Sequence, residues 1–206
     1  APERIEGGIL GSVVPALTGR VLGALRMFCS ARFLTVGPGL KSGIKLRLDN
    51  PAQLGAELLC GAVAALEEGP GPLAVISADT AISIMAVNGK QELVGGVILP
   101  GPQLSLSALV QKTAQLPQID LSAPASSSIL GKNTSACLQN GFVLGTAGLL
   151  DGLAERFQAE LGPDIRFYAT GNLPRTIREA CRTPIEYREY LITDGLYRIW
   201  QKNRKG

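Results

Sequence analysis

The chain has 206 residues, of which 46% are hydrophobic, and its formal net charge is +3. This composition predicts one large domain or two small lobes with a buried core, and it excludes a disordered chain. The basic residues are scattered except for Lys202, Arg204 and Lys205 at the C-terminus, so we expect no nucleic-acid partner. Because the sequence has no histidine, histidine-based acid–base catalysis and Ser-His or Cys-His triads are excluded.

The four cysteines lie far apart and form no C-x-x-C pair; they are Cys29, Cys60, Cys137 and Cys181. This spacing predicts reduced thiols in a cytosolic protein and favours neither a zinc site nor a redox motif. No apolar run reaches the roughly 18 residues that a membrane span needs, and no signal-peptide pattern opens the chain. We therefore expect a soluble cytoplasmic protein with no membrane partner.

Strands and helices alternate in the first third of the sequence. The predicted elements are a strand over residues 5–14, a helix over 15–28, strands over 33–36 and 44–48, and a helix over 51–67. Pro15 is suited to the first turn of a helix, and Asp49-Asn50-Pro51 supplies a capping signal for the second helix. Gly37-Pro38-Gly39 predicts a turn between the two middle strands.

The rest of the chain continues this alternation. Three strands over residues 73–77, 81–87 and 91–98 form a predicted meander, with Asn88-Gly89 as a hairpin turn. A helix over 102–114, a polar loop over 115–128, a long helix over 134–161, a strand over 165–169 and two closing helices follow. The alternation predicts an α/β fold.

One acidic residue, Glu57, stands out in the stretch LDNPAQLGAELL, residues 48–59. It lies on a glycine-led turn that opens a helix, where a carboxylate can accept a proton from a bound alcohol. Its neighbour Leu58 is apolar at a position where a charged substrate would need a cation.

Four further segments are candidates for chemistry. They are Ser77-Ala78-Asp79-Thr80 after a strand, Gly95-Gly96 within the meander, Gly131-Lys132-Asn133-Thr134 before the long helix, and Thr170-Gly171-Asn172 after a strand. The third can bind an anion through free backbone amides and a hydroxyl, but such a segment is more often an ordinary N-cap. Glycine pairs in strands more often mark bulges or close packing than a ligand.

In chain order, several segments resemble those of the type III pantothenate kinases, which phosphorylate pantothenate in the first committed step of coenzyme A synthesis. The segments are SVVPALT, TVGPGLKSGIKL, LDNPAQLGAELL, GGVILPG, TAQLP, GKNT followed by QNG, and ATGNL. The resemblance covers nearly the whole chain.

The resemblance implies an acetate- and sugar-kinase-like, actin-related fold built from two duplicated, ribonuclease H-like α/β lobes. Residues 1–68 would be the remainder of the N-terminal lobe, and residues 69–206 the C-terminal ATPase lobe. The family begins with a strand, an Asp-x-Gly-Asn-Thr phosphate loop and a hairpin that are absent before Ala1. We therefore expect a fragment with an incomplete first lobe, in which activity is weak or lost.

The resemblance also implies a homodimer with the active site near the interface, a small-molecule substrate and a nucleotide. The implied cofactors are ATP, Mg²⁺ and a monovalent cation such as K⁺. Glu57 takes the place of the catalytic aspartate, which accepts the proton of the pantothenate hydroxyl as it attacks the γ-phosphate. The other implied roles are substrate binding for Gly55, Ala56, Leu58 and Thr134, and nucleotide binding for Thr80, Gly96 and Gly171.

The sequence departs from the family pattern at three places. The family's Gly-Ala-Asp-Arg reads Gly-Ala-Glu-Leu here, so the base is one methylene longer and an arginine is lost. Loss of one charge-assisted hydrogen bond, roughly 1.5–3 kcal/mol, would weaken binding of a carboxylate substrate by about ten- to a hundredfold.

Ser77 stands where an aspartate holds the monovalent cation, with Asp79 in place of a glycine in the same segment. Asn172 replaces the second glycine of Thr-Gly-Gly.

Three interpretations follow from the residues and the resemblance. The first is an ATP-dependent pantothenate kinase-like enzyme. The second is a non-catalytic paralogue that acts as a regulatory or binding subunit. The third is a kinase of another small hydroxylated metabolite, with Leu58 suited to an uncharged ligand. Fold alone does not choose among them.

Overall fold

A computed structural model of the protein describes residues 5–126 and 128–204. Lys205 of the basic C-terminal cluster and Ser127 of the predicted loop lie outside the described residues. The strands are β1 (Gly7–Leu10), β2 (Arg32–Thr35), β3 (Lys45–Leu46), β4 (Leu73–Ala78), β5 (Ala81–Val87), β6 (Glu92–Pro100), β7 (Arg166–Gly171) and β8 (Ile185–Tyr187). The helices are α1 (Pro15–Phe28), α2 (Ala56–Glu67), α3 (Pro102–Gln111), α4 (Thr134–Leu161), α5 (Arg175–Ala180) and α6 (Leu191–Asn203).

The large sheet has six strands in the order β3-β6-β5-β4-β7-β8. Strand β5 runs antiparallel to β4 and β6, whereas β7 is parallel to both β4 and β8. The order from β6 to β8, with one antiparallel strand, is that of a ribonuclease H-like lobe. Strands β1 and β2 form a separate parallel pair connected by α1.

Both faces of the large sheet are covered by helices. Successive residues of a strand point to opposite faces, so Val75 of β4 packs with α2 and α6 while Ala74 and Ile76 pack with α4 and α5. All of β4 is buried, which explains its nearly continuous apolar sequence.

The helices α2 and α4 both have their N-termini toward the same edge of this sheet. Helix α2 leads into β4 and α4 leads into β7 through short turns, so each helix runs opposite to the strand that follows it. The 12 residues of α2 span about 18 Å, which matches the roughly 20 Å of the six residues in β4. The N-termini of α2 and α4 therefore lie toward the edge where β4 and β7 end.

Most of the predicted elements are confirmed. The α/β alternation, the meander with its Asn88-Gly89 turn, and the bounds of the long helix α4 agree with the structure. No helix in the described ranges combines the length and apolar character needed to cross a membrane. The division between residues 68 and 69 stays a prediction, although β3 and α2 both belong to the layers of the large sheet.

The helix predicted over residues 51–67 is divided in two. Pro51–Gln53 forms a single 3₁₀ turn, in which the Asn50 side chain accepts a hydrogen bond from the Ala52 amide. Gly55 is extended, with φ −60° and ψ 136°, and α2 begins after it. The consequence is that Glu57 lies in the first turn of a new helix and not within a longer one.

The strands predicted over residues 33–36 and 44–48 are not partners of each other. Strand β2 pairs with β1, and β3 pairs with β6 of the other sheet. The three-residue strand β8 was not predicted, because it is too short to show a hydrophobic period. Each of these strands pairs with a strand that is not its neighbour in local sequence, so local sequence carries no information about the pairing.

The loop between α5 and β8 is held by a buried carboxylate on α4. Asp151, 3% exposed, accepts hydrogen bonds from the amides of Arg182 at 3.0 Å and Thr183 at 2.9 Å. Burial alone would raise the pKa of Asp151, but the hydrogen bonds from Thr183 and Arg182 outweigh that effect, so its pKa lies below the ordinary value. The ionised carboxylate therefore stabilises the fold.

We predict that Asp151→Asn lowers the free energy of unfolding by about 2 kcal/mol at pH 7, because an amide group cannot accept all of these hydrogen bonds. The Asp151 stabilisation should be complete above the unfolded-state pKa of about 3.9 and be lost as pH falls through the lower folded-state pKa. Urea unfolding at several pH values measures both effects. The control is Glu155→Gln, which removes an exposed partner of Arg182 and should cost less than about 1 kcal/mol. Equal losses in the two variants would contradict a special role for Asp151.

Candidate active site

Glu57 is an exposed residue in the first turn of α2. It lines a small cavity of about 100 Å³ with Gly11, Ser12 and Val13, which follow β1, and with residues of α2 and α6. The positive end of the α2 dipole favours negative charge at this position. A carboxylate that faces a cavity here can accept a proton from a bound hydroxyl group.

The neighbours of Glu57 have different surroundings. Gly55 is the extended N-cap of α2, and Ala56 contributes to the cavity wall. Leu58 is only 8% exposed and belongs to the hydrophobic core, because one step along a helix rotates the side chain by about 100°. The structure therefore brings Ala56 and Glu57 to the cavity and directs Leu58 away from it.

A second, larger pocket lies where β4 and β7 end. Ala78 is paired with Gly171 in the parallel register, so the segments that follow these two residues are adjacent. The pocket measures about 410 Å³, and its lining includes Asp79, Thr80 and Asn172. Two segments predicted separately from the sequence, Ser77–Thr80 and Thr170–Asn172, are thus brought together.

Gly171 allows the chain to turn at this point. Its φ is +82°, and a Cβ atom there would lie 2.3 Å from the Ala78 carbonyl oxygen. The Tyr187 hydroxyl donates a hydrogen bond of 2.8 Å to the Gly171 carbonyl oxygen. Since Gly171 has no side chain, any contact of this residue with a nucleotide would use its backbone.

Gly96 lies elsewhere, in the middle of β6 opposite Met85. A Cβ atom at Gly96 would lie 2.0 Å from the Ile84 carbonyl oxygen, and the register shifts nearby between Ala86 and Val87. Gly96 lines a different pocket from Thr80. These observations favour the bulge and close-packing interpretation, and the nucleotide role of Gly96 stays a prediction.

Thr134 is the exposed first residue of α4. The preceding Asn133 caps the helix, and its side chain accepts a hydrogen bond of 2.9 Å from the Ala136 amide, which confirms the N-cap interpretation. Helix α4 covers the face of the sheet opposite α2. Thr134 is therefore not part of the Glu57 cavity, and its contact with a substrate stays a prediction.

A row of buried hydroxyl groups was not recognised from the sequence. Ser77 pairs with Ser83 on one side and with Thr170 on the other, and the three are 8%, 8% and 1% exposed. By strand alternation they share the face covered by α2. The sequence shows each of them as a polar residue within an apolar strand. Their alignment in one row depends on the register between the strands, which the sequence does not show.

The Glu57 cavity and the larger pocket are separate, yet both lie toward the same edge of the sheet. A base beside one cavity and a pocket for a second ligand nearby suit transfer of a phosphoryl group to an alcohol, which depends mostly on positioning. The described residues contain no group of three or more His, Cys, Asp or Glu side chains that could hold a metal ion.

Comparison with known proteins identifies the family of the chain. A sequence model of the family described as Type III pantothenate kinase matches residues 1–156. A type III pantothenate kinase of Koribacter versatilis is 36% identical over 200 residues, which cover 97% of this chain and 72% of the relative. The Pelobacter propionicus enzyme of the same name is 36% identical over 202 residues, covering 98% of this chain and 79% of the relative.

A solved structure from Campylobacter jejuni, described as a Baf family transcriptional activator, has the same fold. Its TM-score is 0.58 at 18% identity, and the match covers 100% of this chain and 87% of that one. This likeness concerns the fold alone. The sequence matches extend over both the Glu57 cavity and the pocket at the ends of β4 and β7, and the chain belongs to the type III pantothenate kinase family.

Proposed function

We propose that this protein transfers the γ-phosphoryl group of ATP to the hydroxyl group of pantothenate. The observation that carries the proposal is the position of Glu57, at the start of α2 and beside a cavity on the edge of the sheet where Thr80 and Gly171 lie. Membership of the family supports pantothenate as the substrate. The comparisons do not favour a non-catalytic subunit or another hydroxylated metabolite.

In this proposal the Glu57 carboxylate accepts the proton of the pantothenate hydroxyl as its oxygen bonds to the γ-phosphorus. The bond between the γ-phosphorus and the β,γ-bridging oxygen breaks, and ADP leaves. Gly55 and Ala56 position the substrate, and Thr80 and the Gly171 backbone contact the nucleotide. The Glu57 side chain is one methylene group longer than the aspartate of the family pattern. We therefore expect the substrate hydroxyl to lie farther from the α2 backbone, by about the length of that group, than it does beside an aspartate.

Two cations belong to this proposal. Mg²⁺ bound with ATP would neutralise the charge that develops on the phosphates, and in this proposal the Thr80 hydroxyl would assist in holding it. A monovalent cation such as K⁺ would be held by the neutral oxygens of Ser77, Ser83 and Thr170, since no carboxylate lies in that row. The cysteines are free thiols, and we expect the protein to act in the cytoplasm.

We predict that Glu57→Gln lowers kcat by about 100-fold or more, because general base catalysis contributes roughly 10²- to 10⁴-fold. Pantothenate-dependent release of ADP measures the rate, and calorimetric titration should show ATP affinity within a factor of about two of wild type, since the base does not contact the nucleotide. The matched control is Glu67→Gln, which removes an exposed carboxylate at the other end of the same helix. A Glu57→Gln variant as fast as the control would refute the role of Glu57.

The core position of Leu58 leads to a stability prediction. Leu58→Arg restores the family's residue but brings a guanidinium group into the hydrophobic core, which should cost about 3 kcal/mol or more. Glu57→Arg places the same group at the exposed neighbouring position and should leave the free energy of unfolding within about 1 kcal/mol of wild type. Urea denaturation compares the two variants. Similar stabilities would mean that the side chain at position 58 is free to leave the core.

We also propose that the protein is a homodimer that associates through α4. Gly141, Gly145, Gly148 and Gly152 follow one stripe of this helix, and nothing lies within 4 Å of the positions where their Cβ atoms would be. Beside the stripe, Leu149 is 43% exposed. Small residues let helices approach closely, and the exposed Leu149 side chain would be buried by a second copy. Thr134 of one copy would then complete the substrate site of the other.

Leu149→Glu should convert the dimer into a monomer, because it places a charge at the centre of an apolar interface. Light scattering after size-exclusion chromatography gives the mass directly. Met27→Glu is the control, since Met27 is 88% exposed on α1, away from the α4 stripe, and its variant should keep the mass of wild type. Loss of the dimer in both variants, or in neither, would argue against this interface.

A further inference from the structure

The pocket at the ends of β4 and β7 contains an unusual pair of side chains. The Asn172 side-chain amide donates a hydrogen bond of 2.9 Å to Oδ1 of Asp79. Both residues are fixed by their backbones as well, because the Asp79 amide donates to the Ala81 carbonyl oxygen and the Asn172 amide donates to the Ala78 carbonyl oxygen. The carboxylate is thus held in one orientation on the pocket wall.

The second carboxylate oxygen of Asp79 is available to a ligand. Among the residues that the structure describes, Oδ2 of Asp79 accepts no hydrogen bond, and the side chain is exposed. A carboxylate accepts hydrogen bonds and donates none. Its partner must therefore be a hydrogen-bond donor or a cation, and a bare phosphate group is excluded by charge repulsion.

The neighbouring residues favour a donor over a metal ion. The side chains lining the pocket include one carboxylate, from Asp79, and the other polar ones are the neutral Thr80, Gln103, Ser107 and Asn172. One carboxylate with neutral neighbours does not make a dedicated all-protein cage for a divalent cation, and Mg²⁺ that comes with ATP is held mainly through the phosphates. On a nucleotide, the hydroxyl donors are those of the ribose, and Asp79 directly precedes Thr80, which we propose contacts the nucleotide.

The other walls of the pocket suit a nucleoside. Pro102, Leu104, Leu121 and Pro174 supply apolar surface, on which the flat faces of a base can lie. A volume of about 410 Å³ is within the range of pockets that hold small molecules. The pocket therefore offers apolar walls for a base and one oriented acceptor for the adjoining sugar.

We propose that Asp79, oriented by Asn172, accepts hydrogen bonds from the ribose hydroxyls and makes the protein selective for ribonucleotides over 2′-deoxyribonucleotides. The inference rests on the proposed use of a nucleotide and adds the group that selects the sugar. Asp79 contacts the nucleotide directly, whereas Asn172 is a positioning residue that acts through Asp79.

The test is calorimetric titration of the full chain with the Mg²⁺ complexes of ATP and 2′-deoxy-ATP. Wild type should bind ATP roughly tenfold or more tightly, as expected for one charge-assisted hydrogen bond. In Asp79→Asn the preference should fall to within about twofold through weaker ATP binding, with 2′-deoxy-ATP binding almost unchanged. Asn172→Ala should give a preference for ATP between those of wild type and Asp79→Asn. A simple loss of stability would weaken the binding of both nucleotides and leave this preference unchanged. The control is Asp164→Asn, which removes an exposed carboxylate before β7, at the opposite edge of the sheet.

Equal binding of the two nucleotides by wild type would overturn the inference. So would an equal loss for both nucleotides in Asp79→Asn with a changed Mg²⁺ dependence, which would assign the carboxylate to a metal ion. Turnover of pantothenate measured in parallel separates this inference from the proposed function. Turnover of pantothenate without selectivity for the sugar would overturn only the role of Asp79. A preference for ATP that depends on Asp79, without turnover, would support the role of Asp79 and contradict the proposed kinase activity. Folded protein that binds neither nucleotide overturns both.

Discussion

Burial of β4 on both faces is the constraint from which the arrangement of the site follows. Helix α2 covers one face of this strand and α4 the other, so its side chains are apolar apart from Ser77 near its end. The two pockets lie toward the edge where the strand ends, at Ala78, and the parallel pairing of β4 with β7 brings Gly171 to the same place. Because α2 runs opposite to β4, its N-terminus and Glu57 also lie toward this edge.

Much of this site could be predicted from local sequence, because its parts depend on neighbours in the chain. Gly55 before an apolar run indicates a turn that opens a helix at Glu57, although the helix itself was predicted to begin earlier, at Pro51. Asn133 likewise indicates the start of α4, and Asn88-Gly89 the hairpin of the meander. Each of these signals comes from backbone hydrogen bonding over three or four residues, and the structure agrees with each of them.

The features that escaped prediction depend on partners far along the chain. The register of β4 aligns Ser77 with Ser83 and Thr170, and no local pattern contains that alignment. Strand β3 joins β6, about fifty residues away, and nothing in the sequence around β3 indicates this partner. Leu58 was interpreted from its place in a motif, whereas its burial follows from the orientation of α2 on the sheet, which only the tertiary structure determines.

The three departures from the family pattern therefore have different physical meanings. Leu58 is accounted for by packing, since it fills a core position and leaves the cavity to Ala56 and Glu57. Ser77 lacks a charge, but it lies between two other buried hydroxyl groups, those of Ser83 and Thr170. Asp79 and Asn172 would each look damaging alone, yet they form a hydrogen bond with each other. Two side chains that satisfy one another act as a unit, so these two departures are explained together by one hydrogen bond on the pocket wall.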